Sequence, residues 1–229
     1  MNHAEIKIIA RMKSDFKTKF GIPRQSGLVD SLHSTIIFEP EYRNSDALRG
    51  LEDFSHLWII WQFSEAVTKE WSPTVRPPRL GGNKRIGVFA TRSPFRPNSL
   101  GLSSVKILGI EQTAKHGAVI HVSGADLMDG TPIFDIKPYI PYADCHPNAI
   151  GGFTDNADDY ILQVDIPEVL LSKIPEGKRQ TIIDLLSHDP RPSYHQDSDR
   201  IYGMSFGDLN IQFKVQNSLL TVCNITTDQ

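Results

Sequence analysis

The chain has 229 residues, with 24 basic and 27 acidic side chains, a formal net charge of -3 and 39% hydrophobic content. No apolar run approaches the roughly 20 residues that a membrane helix requires. Cys145 and Cys223 are the only cysteines and make no disulfide framework, which points to a reducing cytoplasm. The opening Met1-Asn2-His3-Ala4-Glu5 lacks the basic-then-apolar pattern of a signal peptide.

In chain order, short alternating or β-branched runs predict strands at 6–12, 35–38, 57–63, 86–89, 103–110, 118–122 and 133–136. Turn clusters such as Arg76-Pro77-Pro78, Gly81-Gly82-Asn83 and Asp129-Gly130 separate them, and 45–50 suits one short helix. Many short strands between turns imply a closed or strongly curved antiparallel sheet. The stretch 144–159 is rich in Asn, Asp, Gly and Pro and has no apolar period, so it is expected to be a linker or long loop. Beyond it come a strand at 160–164 and a helix at 176–187 that stops at His188-Asp189-Pro190. A hairpin of 209–215 and 218–222, joined by Gln216-Asn217, completes the chain. The fold class is mainly β, with an antiparallel β-barrel-like N-terminal domain over 1–150. A small α+β appendage follows over 160–229.

Charge is unevenly spread. Residues 71–110 hold Arg76, Arg79, Lys84, Arg85, Arg92, Arg96 and Lys106 and none of the 27 acidic residues. A local cationic block in an acidic chain creates a focused positive field suited to a polyanion or a phosphate- or carboxylate-bearing ligand. Prolines stiffen the block, glycines permit close approach, and arginines offer planar forks. Phe89 and Phe95 give surfaces on which a base could stack. A solvated basic loop with structural prolines is the plain alternative; the absence of acids over this length favours a function.

Other segments are more equivocal. The run from Asp126 to Tyr139 is a tight turn entering a strand, and Asp135, Lys137 and Tyr139 alternate on one face of it. They suit acid–base work or a satisfied ion pair beside a core-edge tyrosine. Phe20-Gly21-Ile22-Pro23-Arg24-Gln25 is a turn-rich loop with one forked cation. His56 leads an apolar strand, where a buried hydrogen-bonded histidine is the ordinary case. Asp189-Pro190-Arg191-Pro192-Ser193-Tyr194 is a helix stop that also sets an arginine and a tyrosine on a stiff loop. GxGxxG after a strand, the P-loop, HExxH and GxSxG are all absent, which argues against a Rossmann cofactor enzyme or a metalloenzyme.

Together, Pro23-Arg24-Gln25, LEDFSHLW at 51–58, TVRPPRLGGNKRIGVFATRSPFRPNSLGL at 74–102, DGTPIFDIKPY at 129–139 and DPRPSY at 189–194 resemble the TsaA-like family of S-adenosylmethionine-dependent tRNA adenine methyltransferases. The resemblance implies a β-barrel-like domain, not a Rossmann fold, and a homodimer without a metal. It implies transfer of a methyl group to the exocyclic nitrogen of threonylcarbamoyl-adenosine beside the anticodon of tRNA. Carried across, the S-adenosylmethionine contacts are Pro23, Arg24, Gln25, Phe63, Ser64, Arg92, Leu102, Met128, Asp129, Gly130 and Thr131. The tRNA contacts are Arg76, Arg79, Lys84, Arg85, Arg96 and Arg191. Lys137, Tyr139 and Asp189 are the candidates for proton transfer. One departure is Asn98-Ser99-Leu100-Gly101, where relatives commonly have Asn-Pro-Ile-Gly. The rival expectations are a non-catalytic RNA- or nucleotide-binding β-barrel and an enzyme for a small phosphorylated metabolite.

Overall fold

A computed structural model describes residues 4–68, 70–155, 160–191 and 197–227. Along the chain come β1 (Ala10–Lys13), β2 (His33–Phe38) and β3 (His56–Gln62), then a small hairpin of β4 (Thr74–Val75) and β5 (Ile86–Gly87). The long β6 (Leu100–Thr113), β7 (Gly117–Ser123) and β8 (Pro132–Pro138) follow. Six of these close into a barrel in the order β1-β2-β7-β6-β3-β8, with β8 returning to β1 through Ala10↔Ile133 and Arg11↔Pro132. Every pairing in the ring is antiparallel. Side chains alternate across each strand, so Leu57, Ile59 and Trp61 of β3 turn inward with Ile36, Val105, Ile120 and Ile133. Irregularities at Ile60/Trp61 in β3 and Ile107/Gly109 in β6 bend the sheet, as closure of so few strands requires.

After α1 (Pro141–Asp144) the chain enters a second unit: β9 (Gln163–Asp165), α2 (Glu168–Leu171), α3 (Glu176–Ser187), β10 (Tyr202–Phe206), β11 (Leu209–Gln216) and β12 (Leu219–Thr227). The sheet order is β10-β11-β12-β9, with β9 parallel to β12. Helix α3 buries Thr181, Ile182, Leu185 and Leu186, a spacing that gives one apolar stripe. That stripe packs with Met204, Phe206, Ile211, Phe213 and Leu220.

The two cores are tied by a segment of the first. Residues 14–32 leave β1 and place Phe16, Val29 and Leu32 in the core of the second unit, with Phe20 and Ile22 packed against it. Phe16 is fully buried and meets Phe206 edge-on at 5.4 Å. Polar bonds reinforce the junction: Gly207 N donates to Asp15 O (2.7 Å), Lys178 Nζ to Asp15 Oδ2 (2.8 Å) and Thr181 Oγ1 to Ser31 O (2.7 Å).

Several expected elements shift. The run 86–89 is a strand only at Ile86–Gly87, because Val88 turns inward and opens a 3-10 turn over Val88–Ala90. The helix expected at 45–50 is a 3-10 turn over Ser45–Leu48. The strand expected at 160–164 begins at Gln163. Two strands were not expected, β10 and the two-residue β4; in β10 Gly203, Met204 and Ser205 carry little strand propensity, and pairing with β11 imposes the extended form. The final hairpin turns on Asn217-Ser218, with Asn217 at φ 53, where asparagine is tolerated. Within the expected linker, residues 156–159 lie outside the described residues. No helix among the described residues is long and apolar enough to cross a membrane.

Phe16→Ala should destabilise the whole chain by about 3–5 kcal/mol, the range for a buried phenylalanine. Urea unfolding read by fluorescence should show one shifted transition; loss of the second unit alone would refute the coupling.

Candidate functional site

One end of the barrel opens into a cleft of about 550 Å³. Four segments supply its ligand-facing groups. The first is the 14–32 segment, which brings Pro23, Arg24 and Gln25. The second is the end of β3 and the turn after it, with Trp61, Phe63 and Ser64. The third combines the cationic block and the start of β6, with Arg92, Phe95, Arg96, Leu102 and Ser103. The fourth, with Asp126, Met128 and Thr131, closes it. The cleft therefore gathers nine of the expected donor contacts in one place: Pro23, Arg24, Gln25, Phe63, Ser64, Arg92, Leu102, Met128 and Thr131.

The remaining two, Asp129 and Gly130, shape the turn from behind. Asp129 accepts from Ser14 N (3.0 Å) and Lys13 Nζ (3.2 Å), while Gly130 N donates to Met12 O (2.8 Å) and its carbonyl accepts from Arg11 (3.2 Å). Gly130 sits at φ 77, in the left-handed region that favours glycine. Strand β1 thus fixes the 128–131 turn.

The cleft cations are held in place. Arg92 Nη1 donates to Gln25 Oε1. Arg24 Nη2 donates to the carbonyls of Arg191 (3.3 Å) and Asp189 (3.5 Å), linking the cleft to the loop after α3. Arg96 is a brace: its Nη1 donates to Val88 O (3.1 Å) and Thr91 O (2.7 Å), and its guanidinium lies 5.6 Å from the Phe89 ring centroid. Residues with fixed rotamers lose less entropy when a ligand arrives.

Beside the cleft lies a wide groove between the cationic block and the second unit. Arg76, Arg85, Trp71, Phe89 and Phe95 line one side, and Tyr160, His188, Asp189 and Arg191 the other. Arg76, Lys84 and Arg85 are exposed. Arg85 Nη1 also donates to Thr74 Oγ1 (2.8 Å). The side chain of Arg79 lies outside the described residues, as do Pro192, Ser193 and Tyr194. Arg191 is spent on a two-point pair with Asp189 (2.8 and 2.9 Å), and that hydrogen-bonded carboxylate raises its pKa. Asp189 stands at φ 48 and both its oxygens face Arg191.

Lys137 and Tyr139 line neither the cleft nor the groove. Lys137 pairs with Asp135 (2.9 Å), and Tyr139 packs against Trp58 at 5.6 Å. They lie toward the opposite end of β8 from Thr131, roughly 20 Å (Lys137) and 26 Å (Tyr139) away along extended chain. Three further residues were not singled out individually from sequence. Trp61 Nε1 donates to Ser103 Oγ (3.0 Å), and Ser103 Oγ donates to Asp126 Oδ1 (2.6 Å) on the cleft floor. Burial raises the Asp126 pKa; the Ser103 hydrogen bond, backbone donors and Arg92 oppose that rise. These residues lie far apart in sequence, so no local pattern joins them. Among the described residues, no group of three or more His, Cys, Asp or Glu could hold a metal ion.

Gly101 makes this network possible. A Cβ there would fall 2.3 Å from the Trp61 ring. The neighbouring Ser99 has φ 45, a conformation closed to proline, so the backbone here is not one that a proline would set. Gly101→Ala should displace Trp61, break its bond to Ser103 and cost about 1–3 kcal/mol by overpacking. Denaturant unfolding with tryptophan fluorescence checks both effects; an unchanged spectrum and stability would count against them.

Comparison with known proteins fits this geometry. Residues 11–145 match the family model for the tRNA-methyltransferase O N-terminal domain, and 161–228 match that for the TrmO C-terminal domain. The chain is 38% identical over 226 residues to a tRNA (adenine(37)-N6)-methyltransferase of Escherichia coli, covering 95% of this chain and 96% of that one. It is 38% identical over 220 residues to a putative S-adenosylmethionine-dependent methyltransferase of Pseudomonas aeruginosa, covering 93% of each. A solved structure of TrmO from P. aeruginosa superimposes with a TM-score of 0.80 at 32% identity, covering 99% of this chain and 98% of that one. Both matched domains and the superposition over nearly the whole chain agree, and the chain belongs to the tRNA-methyltransferase O family.

Proposed function

We propose that this chain methylates the exocyclic N6 of threonylcarbamoyl-adenosine beside the anticodon of tRNA, with S-adenosylmethionine as donor. The observation that carries the reading is the junction of two sites. A cleft sized for a small ligand opens beside a groove with exposed cations and aromatic rings. The cleft lining suits this donor: Phe63, Leu102 and Met128 offer apolar surface for a nucleoside, and Arg24 and Arg92 offer forks for a carboxylate. When bound, the donor supplies an electrophilic methyl group. The chain's own residues bind and orient the partners and exclude water, the main requirement for an already activated transfer.

On the groove side, Arg76, Lys84 and Arg85 supply phosphate contacts, while Trp71 and Phe89, 5.9 Å apart, offer faces to unpaired bases. Asp189 is the anchor that holds Arg191 and, through the loop carbonyls, Arg24. The second unit assists tRNA binding by forming the far wall. The chain acts as a homodimer in the cytoplasm, where its tRNA substrate is found. Lys137 and Tyr139 serve the reaction only where a second copy brings them to a cleft.

Purified protein should methylate tRNA that carries threonylcarbamoyl-adenosine and leave unmodified tRNA nearly untouched. Nucleoside mass spectrometry of tRNA from cells lacking the protein should show that methyl group missing; its persistence would refute the reading. Arg92→Ala should weaken donor binding roughly ten-fold or more, as loss of a charge-assisted contact does, with tRNA affinity retained. Mixing Arg92→Ala with Lys137→Ala protein should restore about a quarter of wild-type activity if clefts are completed across a two-fold dimer. No restoration would remove Lys137 from the reaction.

A further inference from the structure

The donor cleft holds one sheltered carboxylate. Of its two acidic lining residues, Glu65 is exposed and Asp126 is partly buried on the floor. Asp126 is held from beneath by Ser103, which is 1% exposed, and Ser103 in turn by Trp61, which is 5% exposed. The fold does not need a charge here. An amide could accept the same Ser103 hydrogen bond through its oxygen, without the desolvation that a carboxylate suffers. An ionisable group kept where a neutral one would serve structure better marks a function.

The cations around it sharpen the point. Arg92 is bonded to Gln25, Arg24 to the loop carbonyls, and Arg96 to Val88 and Thr91. They fit a ligand's anionic end and repel its cationic end. A sulfonium donor carries a fixed positive charge at the reacting sulfur, and the product after transfer carries none. A fixed, partly buried carboxylate is the group that distinguishes them. We propose that Asp126 supplies the counter-charge by which the cleft prefers the sulfonium donor over its demethylated, uncharged-sulfur product. This rests on the donor reading of the cleft. In this role Asp126 is a specificity-determining residue: it favours donor entry and lets product leave.

The test is calorimetry on the full-length protein with three probes: S-adenosylmethionine, S-adenosylhomocysteine, and an analogue with an ammonium group in place of the sulfonium. Wild type should bind both cationic probes roughly ten-fold tighter than the homocysteine product, a modest share of one partly screened charge pair. In Asp126→Asn that preference should shrink to within about two-fold, with product affinity nearly unchanged. Thermal unfolding supplies the second readout. Burial raises the Asp126 pKa, so the native chain holds this proton to higher pH than the unfolded chain. The stability it lends is present at low pH and lost as pH rises through the raised value. Asp126→Asn should thus be as stable as wild type at neutral pH or more so. A preference that survives in Asp126→Asn overturns the proposal. So does equal weakening of all three probes with a lower melting temperature, which would mark a structural role. Wild type binding donor and product alike would overturn it while leaving the cleft reading intact. Wild type binding none of the probes would take both down.

Discussion

The structure depends on the segment between Ser14 and Leu32, which starts in one core and is buried in the other. Phe16, Val29 and Leu32 give up their solvent-exposed area only by inserting beneath the second sheet. The same segment carries Pro23, Arg24 and Gln25 to the mouth of the barrel. Burial of three apolar side chains thereby fixes where a forked cation stands. Arg24 then reaches the loop after α3, and that loop is held by Asp189 and Arg191. Without the second core, the cleft would lose one of its walls.

A second constraint concerns cationic self-repulsion. Six arginines and lysines between Arg76 and Arg96 would favour an open, mobile loop. Instead they divide into two sets. Arg96 braces the Val88–Thr91 turn and stacks on Phe89, and Arg92 is tied to Gln25. Arg76 and Lys84 remain exposed. The loop is held by its own arginines, and of the cations left over Arg76 lines the groove. This is an economical way to keep a positive field local in an acidic chain.

The polar network under the cleft follows a different logic. Trp61, Ser103 and Asp126 form a chain of hydrogen bonds in a place where apolar side chains would pack more cheaply. Gly101 admits the Trp61 ring, and the irregularity in β3 at Ile60/Trp61 helps turn it. Strand irregularities commonly re-aim side chains near functional sites, and this one sits beside the candidate site.

By itself, the sequence determined much of the plan. Period-two runs and turn chemistry showed a mainly β chain, and the helix at Glu176–Ser187 was legible to the residue because an apolar stripe meets a proline stop. The cationic block was visible as composition, and its motifs, with those of residues 23–25 and 128–131, pointed to residues that line one cleft. Tertiary structure decided what those residues do. Arg96 and Arg191 read as free cations along the chain, yet folding commits both to internal partners. Lys137 and Tyr139 share a strand with the site but stand at its other end, because a strand carries its residues away at about 3.3 Å each. Asp126 opened a turn segment but carried no signal of its own, since a sheltered carboxylate is defined by neighbours from β3 and β6. Local sequence encodes strand, turn and charge; which charges remain unpaired depends on contacts between distant segments.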